Sequence, residues 1–215
     1  MSETAAKKPI VIIGGGGHAS VIIDILKQQK REIVAVISRD ETAQRKIFNG
    51  INVFKLDSEI SSFSKDDVVL VNGIGTSPGS KIRTNVNAFF KEKGYIFETV
   101  IASTAYVSPY AILEEGVQVF HGAIIQPGVY IGCNTIINTR AVVEHDVHLG
   151  GDNFVGPGAI ICGQCKSGEN VFIGAGAIIV QNVELGSDSS IMANALVVGK
   201  IQSNQRVYAA RSMIK

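Results

Sequence analysis

"GVQVFHGAIIQPGVYIGC", residues 116–133, consists of three consecutive six-residue units that each carry Val or Ile at the fourth position. The same spacing continues in both directions without insertion, so that sixteen units cover residues 104–199. The fourth position is Val, Ile or Leu in fifteen of them, and Ser167 is the one departure. The second position is mostly small or β-branched. A period of six fits neither an α-helix nor one continuous strand.

This period is typical of a parallel β-helix, in which each unit forms one short strand and one corner. Three units complete a triangular coil, and the aliphatic side chains at the inward positions stack along its interior. Sixteen units make slightly more than five coils, enough to bury a continuous core. A glycine-rich β-sandwich would vary its spacing, which argues against that alternative. The sequence therefore predicts a β-helix domain over residues 101–215.

Residues 9–100 follow a different pattern, in which short apolar strands alternate with amphipathic helical segments. "PIVIIG" and "IVAVIS" read as buried strands, and "HASVIIDILKQQ" between them predicts a helix. The spacing places Val21, Ile22, Ile25 and Leu26 on the buried side of that helix. Alternation of this kind indicates a small parallel sheet with right-handed crossovers. We therefore expect a Rossmann-like α/β half domain over residues 1–100.

A glycine-rich loop, "GGGGH" at residues 14–18, joins the first strand to the first helix. Glycines let the backbone approach a diphosphate, and the free N–H groups at a helix N-terminus favour an anion. The text "GGGGHA" also satisfies the G-x-G-x-x-A fingerprint of NAD sites. Against NAD, the second strand ends in Ser38-Arg39, without an acid for the ribose hydroxyls, and the sheet is short for a full dinucleotide fold. A nucleotide-sugar needs only half of that fold.

Composition excludes several classes of protein. The net charge is +1, and no stripe of Lys and Arg with interleaved aromatics is present, so we expect no nucleic-acid partner. The apolar run after residue 9 spans about five residues, too short for a secretory core or a membrane span, so we expect a soluble, cytoplasmic protein. Cys133, Cys162 and Cys165 fit a reducing compartment. Cys162 and Cys165 form one CxxC without a second pair for a zinc site.

The hexapeptides, taken together with "VIIGGGGHAS", "NGIG" and "EHD" in this order, resemble a known enzyme family. It comprises bacterial nucleotide-sugar acetyltransferases of the bacillosamine and perosamine type, which acetylate 4-amino-sugars and belong to the sialic-acid O-acetyltransferase-like group. The resemblance runs from about Pro9 to Ala195. It implies a left-handed β-helix, an exception to the usual crossover rule. It further implies a homotrimer, acetyl-CoA in the groove between adjacent β-helices, no metal, and an amino-sugar held by the N-terminal domain. The expected substrate is a UDP-4-amino-4,6-dideoxy-N-acetylglucosamine type of sugar, with a GDP-linked sugar as the alternative.

The stretch "VVEHDVHLGG", residues 142–151, carries the catalytic residues that the resemblance implies, His145 and Asp146. His145 is the sixth residue of its unit and therefore belongs to a corner, where a side chain can face a groove. An imidazole can remove a proton from a sugar amine near neutral pH, and a carboxylate on its other nitrogen fixes the tautomer. Glu144 is the weaker candidate, because the family places the helper acid after the histidine. The alternative for His145 is a hydrogen-bonded structural residue.

The resemblance also implies ligand contacts. Those to the nucleotide-sugar fall on Gly16, Gly17, His18, Ser38, Arg39 and Gly75. Ser38 and Arg39 stand where relatives often carry two aspartates, a change that points to another nucleotide such as GDP. Asn138 is a candidate for orienting the sugar, or else a solvent-facing turn residue. The contacts to acetyl-CoA fall on Phe154, where relatives often carry histidine, and on Ala175 and Ala193.

Three alternatives to the amine N-acetyltransferase remain open from the sequence. His121, His145 and His148 match the histidine content of metal-dependent β-helix hydratases, although those enzymes have no dinucleotide-like N-terminal domain. A sugar O-acetyltransferase would use the same fold with a hydroxyl as acceptor. A non-catalytic β-helix scaffold would bind the nucleotide-sugar without turnover.

Overall fold

The computed structural model describes residues 7–39, 42 and 44–210, so residues 1–6, which precede the apolar run considered above, lie outside the described residues. The chain divides into two compact units. The first comprises Met1–Gly75 and Asn85–Val100, and the second comprises Thr76–Thr84 and Ile101–Lys215. The division thus falls at residue 100, apart from one short segment that belongs to the second unit.

The first unit is built on a four-stranded parallel sheet with the order β3-β2-β1-β4. Its strands are β1 Ile10–Ile13, β2 Ile33–Ile37, β3 Asn52–Phe54 and β4 Val69–Asn72. The helices are α1 Gly17–Gln28 and α2 Ile82–Glu92, with short 3-10 helices at Lys46–Phe48 and Asp57–Ser62. The chain runs outward from β1 to β3 and then returns to place β4 on the other side of β1. The carboxyl ends of β1 and β4 therefore flank the point where the strand order reverses, the usual ligand-binding position in such sheets.

Helix α1 packs on the sheet through Ala19, Ile22, Ile23 and Leu26, which are buried and spaced at i, i+3, i+4 and i+7. The expectation that Val21 shares this face is wrong, because its side chain is exposed. Val21 is two residues from Ala19, about 200° around the helix axis, which turns it away from the sheet.

The second unit is a left-handed parallel β-helix, in which the third and fourth residues of each repeat form a two-residue strand. The five-stranded sheet contains Ile112–Leu113, Tyr130–Ile131, His148–Leu149, Lys166–Ser167 and Glu184–Leu185. The six-stranded sheet contains Tyr106–Val107, Ile124–Ile125, Val142–Val143, Ile160–Ile161, Ile178–Ile179 and Leu196–Val197. The seven-stranded sheet contains Val100–Ile101, Gln118–Val119, Ile136–Ile137, Phe154–Val155, Phe172–Ile173, Ser190–Ile191 and Arg206–Val207. Strands in register are 18 residues apart along most of each sheet, as three units per coil predict.

The backbone conformation of the corners explains which residue types occupy the first position of each unit. The first residue of every unit from 116 to 199 has a positive φ, near +60° for most of them. Gly, Asn and Asp tolerate this left-handed conformation best, and twelve of these fourteen residues are of those types. Asp146, with φ of 58°, is one of them. An aspartate at residue 146 is therefore expected from the turn conformation alone, whether or not it also has a chemical role.

A buried hydrogen-bond network accounts for Ser167, the departure from the aliphatic fourth position. The Asn153 side-chain amide donates to Ser167 Oγ at 2.6 Å and to Gly168 O at 3.0 Å. Asn153 Oδ1 in turn accepts from the Val171 N–H at 2.6 Å. Asn153 and Ser167 are both buried, so each polar group needs a partner inside the protein. Ser167 is thus one half of a polar pair within an otherwise apolar interior.

The segment Thr76–Thr84 is fixed to the β-helix by two basic side chains. Lys81 Nζ lies 2.9 Å from Asp188 Oδ1. Arg83 is buried, and its Nε–H donates to Asn134 O at 3.2 Å. Burial lowers the pKa of Arg83 to about 9, while the charge of Asp152 opposes the shift. The neighbouring carboxylate therefore offsets part of the cost of burying the guanidinium.

No helix within the described part of the chain is long and apolar enough to cross a membrane.

Candidate active site

The glycine-rich loop lies at the carboxyl end of β1. Gly16 is the N-cap of α1 and has an extended backbone, so Gly17 and His18 begin the helix and their N–H groups face outward from its first turn. Gly15 packs tightly beneath the loop, since a Cβ there would lie 2.6 Å from Thr42 Cγ2 and 2.8 Å from Ser38 Oγ. Only glycine permits this approach, which holds the loop against the end of β2.

Gly75 lies across the switch point from the loop. A Cβ at Gly75 would be 3.3 Å from His18 Cβ, so the two residues are neighbours although 57 positions separate them. Gly14, with φ of 103°, would place a Cβ 2.8 Å from Ile74. The residues that follow β1 and β4 therefore meet where a diphosphate can bind to backbone N–H groups and to the positive end of α1.

Ser38 and Arg39 follow β2 at the same edge of the sheet but differ in exposure. Ser38 is buried, and its backbone N–H donates to Phe54 O at 2.8 Å. Arg39 is exposed, and its guanidinium lies 3.5 Å from the Asp57 carboxylate. The structure thus groups Ser38 with the glycine loop, and it directs the Arg39 side chain to Asp57.

His145 lies at the corner between the six-stranded and five-stranded sheets, here called the His145 corner. Pro127, His145, Gly163 and Gln181 occupy equivalent places in successive coils of this corner. His145 Nδ1 lies 2.9 Å from Asp146 Oδ2, and both side chains are 59% exposed. An ionised carboxylate only accepts, so Nδ1 carries the hydrogen in the neutral ring and Nε2 is left as the acceptor. The arrangement provides a base with a fixed tautomer at an accessible surface.

Glu144 and His148 do not share this contact. Asp146, rather than Glu144, is hydrogen-bonded to the imidazole. The His148 ring stacks on Tyr130 on the outer face of the five-stranded sheet, with 4.5 Å between ring centroids. His121 lies at another corner and contacts Thr104 Oγ1 through Nδ1 at 2.8 Å. One chain therefore does not bring the three histidines together.

Cys133 lies at a different corner of the β-helix from Cys162 and Cys165. Cys165 is buried inside the coil, its thiol donates to Val180 O at 2.9 Å, and burial raises its pKa. Cys162 lies at the His145 corner. Within the described ranges, no group of three or more His, Cys, Asp and Glu residues is arranged to hold a metal ion.

The residues expected to contact acetyl-CoA lie away from His145 in the same chain. Ala175 and Ala193 are exposed at the corner between the seven-stranded and six-stranded sheets, here called the Ala175 corner. Asn138 belongs to the same corner, where its Oδ1 accepts from the Thr139 N–H at 2.7 Å. Phe154 is half-buried on the outer face of the seven-stranded sheet and stacks on Phe172 with 4.9 Å between centroids. The His145 corner and the Ala175 corner border opposite edges of the six-stranded sheet.

Sequence reasoning missed Gly163, which is buried directly beneath the His145 ring. The available signal was its position, 18 residues and therefore one coil after the histidine.

Two comparisons with known proteins place the chain in a family. Residues 9–86 match the model of the PglD N-terminal domain. The whole chain is similar to perosamine N-acetyltransferase from Caulobacter crescentus, solved as a mutant with CoA and GDP-perosamine, at 31% identity and a TM-score of 0.84 over 96% of this chain and 95% of that chain. The chain belongs to the bacterial nucleotide-sugar N-acetyltransferases.

Two further solved structures share the fold of this chain. The acetyltransferase domain of PglB from Neisseria gonorrhoeae, in complex with acetyl coenzyme A, is 26% identical with a TM-score of 0.85, over 94% of this chain and 96% of that chain. WeeI from Acinetobacter baumannii shares the fold at 20% identity and a TM-score of 0.78, over 92% of this chain and 95% of that chain. A search of curated proteins found no match. This nucleotide-sugar N-acetyltransferase is accordingly an acetyl-CoA-dependent enzyme.

Proposed function

We propose that this protein transfers the acetyl group of acetyl-CoA directly to the 4-amino group of a nucleotide-linked amino-sugar, with His145 as the general base. The observation that carries the proposal is the contact of 2.9 Å between His145 Nδ1 and Asp146 Oδ2 at an exposed corner. It leaves Nε2 as the hydrogen-bond acceptor of a side chain that is 59% exposed. The Caulobacter crescentus relative has been solved with one histidine replaced by asparagine or by alanine, in complex with CoA and GDP-perosamine.

The chemistry needs one base and no covalent enzyme intermediate. The amine nitrogen forms a bond to the thioester carbonyl carbon, and the bond from that carbon to sulfur breaks. The proton lost by the nitrogen passes to His145 Nε2, and the CoA thiolate leaves and is then protonated. Asp146 keeps the ring in the tautomer that accepts this proton, and it stabilises the imidazolium that forms.

For the nucleotide-sugar, the acetyl acceptor, we propose a site at the carboxyl ends of β1 and β4. The N–H groups at the start of α1, with Gly16, Gly17 and His18, bind the diphosphate, and Gly75 closes the site from the side of β4. One observation favours GDP over the UDP that the resemblance suggests first: the C. crescentus relative is solved with GDP-perosamine. The change to Ser38 and Arg39 that the resemblance implies points the same way.

We further propose that a homotrimer completes the active site. The outer face of the six-stranded sheet, here called the apolar face, carries Tyr106, Ile124, Val142, Ile160, Ile178 and Leu196. Most of these side chains are exposed in one chain, and an exposed apolar ladder of this length favours association. The His145 corner and the Ala175 corner border this face on opposite sides. A closed ring of copies therefore brings the base of one copy to the Ala175 corner of the next.

Small side chains at the Ala175 corner suit a long, narrow ligand. Ala175 and Ala193 stack one coil apart and present only methyl groups to solvent. In the trimer they border the groove along which acetyl-CoA, the source of the activated acetyl group, is bound. Phe154 remains a candidate contact for acetyl-CoA, and Asn138 remains a candidate for orienting the sugar.

A substrate panel tests the proposal. Release of free CoA is followed with a thiol reagent over GDP-, UDP- and dTDP-linked 4-amino-sugars and over the matching 4-hydroxy sugars. We expect turnover with an amino-sugar, fastest with a GDP-linked one. Turnover confined to hydroxy sugars would indicate an O-acetyltransferase, and binding of nucleotide-sugar without turnover would indicate a scaffold. Either result contradicts the proposal.

A further inference from the structure

Gly163 lies one coil beyond His145, at the same place of the His145 corner. The two residues are tied by the backbone, because the Gln164 N–H donates to His145 O at 3.0 Å. A Cβ at Gly163 would lie 2.6 Å from His145 Nε2, 2.7 Å from Cε1 and 3.2 Å from Cδ2. The three nearest atoms thus all belong to the imidazole, and its Nε2 end lies closest to the glycine.

The backbone does not require glycine at this position. Gly163 is absent from the residues with a positive φ, so any L-amino acid can adopt its conformation. The next coil carries Gln181 at the equivalent place, and the preceding coil carries Pro127, so the corner itself accepts larger side chains. The constraint on residue 163 therefore comes from the ring above it.

A second glycine, Gly128, faces Asp146, the hydrogen-bond partner of His145. Gly128, one coil before Asp146, would bring a Cβ into collision with Asp146 Oδ1. Its φ of 75° already favours glycine, so this position gives no independent evidence. The two contacts nevertheless show the same arrangement. The His145–Asp146 pair lies between two glycines, Gly128 in the coil before it and Gly163 in the coil after it.

We infer that Gly163 is a positioning residue of the reaction, whose missing side chain lets the His145 ring lie where Nε2 faces the acceptor and Nδ1 meets Asp146. The inference rests on the proposed role of His145. A methyl group at residue 163 displaces the ring outward and rotates it away from Asp146. The base then loses both its position and the partner that sets its tautomer.

The test compares Gly163→Ala with Gly199→Ala. Gly199 follows its strand by the same two residues two coils further on, in a last corner that is two residues shorter; a Cβ there would meet no atom within 4 Å, and its φ lies outside the positive range. We expect Gly163→Ala to lower kcat about 10- to 100-fold, the range for a catalytic group misplaced by about 1 Å, with KM for acetyl-CoA unchanged. Gly199→Ala should keep the wild-type kcat.

A double variant separates positioning from a general structural effect. In the His145→Ala background the ring is gone, so adding Gly163→Ala should leave the residual rate unchanged. A further loss in that background, by the factor seen with His145 present, would mean that Gly163 does not act through the ring, and the inference would fall.

A spectroscopic readout keeps the inference distinct from the proposed function. The ring nitrogen chemical shifts of His145 report tautomer and hydrogen bonding without any substrate. Gly163→Ala should change them, and Gly199→Ala should not. Unchanged shifts or a wild-type rate in Gly163→Ala would each overturn the inference and leave the proposed base intact, whereas an active His145→Ala variant would overturn the proposed base and, with it, this role of Gly163.

Discussion

The side chain of His145 is defined by its surroundings on three sides: Asp146 beside it, Gly163 beneath it, and open solvent above it. Asp146 occupies a left-handed corner position that Asn would serve equally well. The backbone therefore explains why residue 146 is Asp or Asn, and only the contact with the imidazole explains a carboxylate. Substitution by Asn isolates that difference.

At this scale we predict the order of loss His145→Ala, then Asp146→Asn, then Glu144→Gln. His145→Ala should lower kcat by about two to four orders of magnitude, as expected for losing a positioned general base. Asp146→Asn should cost less, because the ring remains but loses the partner that fixes its tautomer. Glu144→Gln should be mild. The rates are measured as kcat/KM for the sugar at saturating acetyl-CoA, with thermal unfolding and oligomeric state as controls.

Two results would contradict this assignment. One is near-normal turnover by His145→Ala, and the other is a larger loss with Glu144→Gln than with Asp146→Asn.

At the scale of the element, each coil of the β-helix repeats one backbone path, and its stability depends on what fills the interior. Second-position side chains of one column, at the corner between the five-stranded and seven-stranded sheets, are Thr135, Asn153, Val171 and Ser189. Thr135 Oγ1 accepts from the Asn153 N–H at 3.1 Å, and Asn153 Oδ1 accepts from the Val171 N–H at 2.6 Å. Polar side chains thus satisfy backbone donors at this corner.

We predict that Asn153→Ala lowers the free energy of unfolding by about 2–4 kcal/mol, because it leaves buried groups of Val171, Ser167 and Gly168 without their partner. Ser189→Ala is the matched control in the same column. Ser189 Oγ is buried and has no hydrogen-bond partner among the described residues, so its removal should be neutral or slightly stabilising. Denaturant unfolding at fixed protein concentration measures both. Equal losses for the two variants would show that the network adds nothing beyond packing.

At the scale of the whole molecule, the active site that we propose needs more than one copy of the chain. The apolar face separates the His145 corner from the Ala175 corner, so the two corners of one β-helix do not meet. Association through this face would bury the ladder and assemble the groove together, so that oligomeric state and activity should be lost together.

We predict that Ile160→Asp, at the centre of the apolar face, converts the trimer to monomer and abolishes turnover. A charge buried without a partner in such an interface is strongly unfavourable. Ile112→Asp is the control, because Ile112 is also a third-position isoleucine, 59% exposed, but lies on the five-stranded sheet. Light scattering coupled to gel filtration measures the mass at the assay concentration. A fully active monomer, of the wild type or of either variant, would refute a site shared between copies.

The sequence by itself determined the β-helix, its three units per coil and the α/β half domain, because these follow from local periodicity. The period of six sets whether each side chain points inward or outward, and the period of 18 sets which corner it joins. Their positions in the 18-residue period therefore already place His145 at a different corner from Ala175 and Ala193. Phe154 likewise falls on a sheet face rather than at a corner by position alone.

Only the tertiary structure decided which of these neighbours touch. It paired His145 with Asp146 rather than Glu144, placed the ring on Gly163, and linked Asn153 to Ser167 across coils. It also turned Val21 to solvent and joined Thr76–Thr84 to the β-helix through Lys81 and Arg83. These outcomes depend on side-chain rotamers and on packing between residues far apart in the chain. A repeat pattern fixes neither, because it describes each residue only by its place in its own unit.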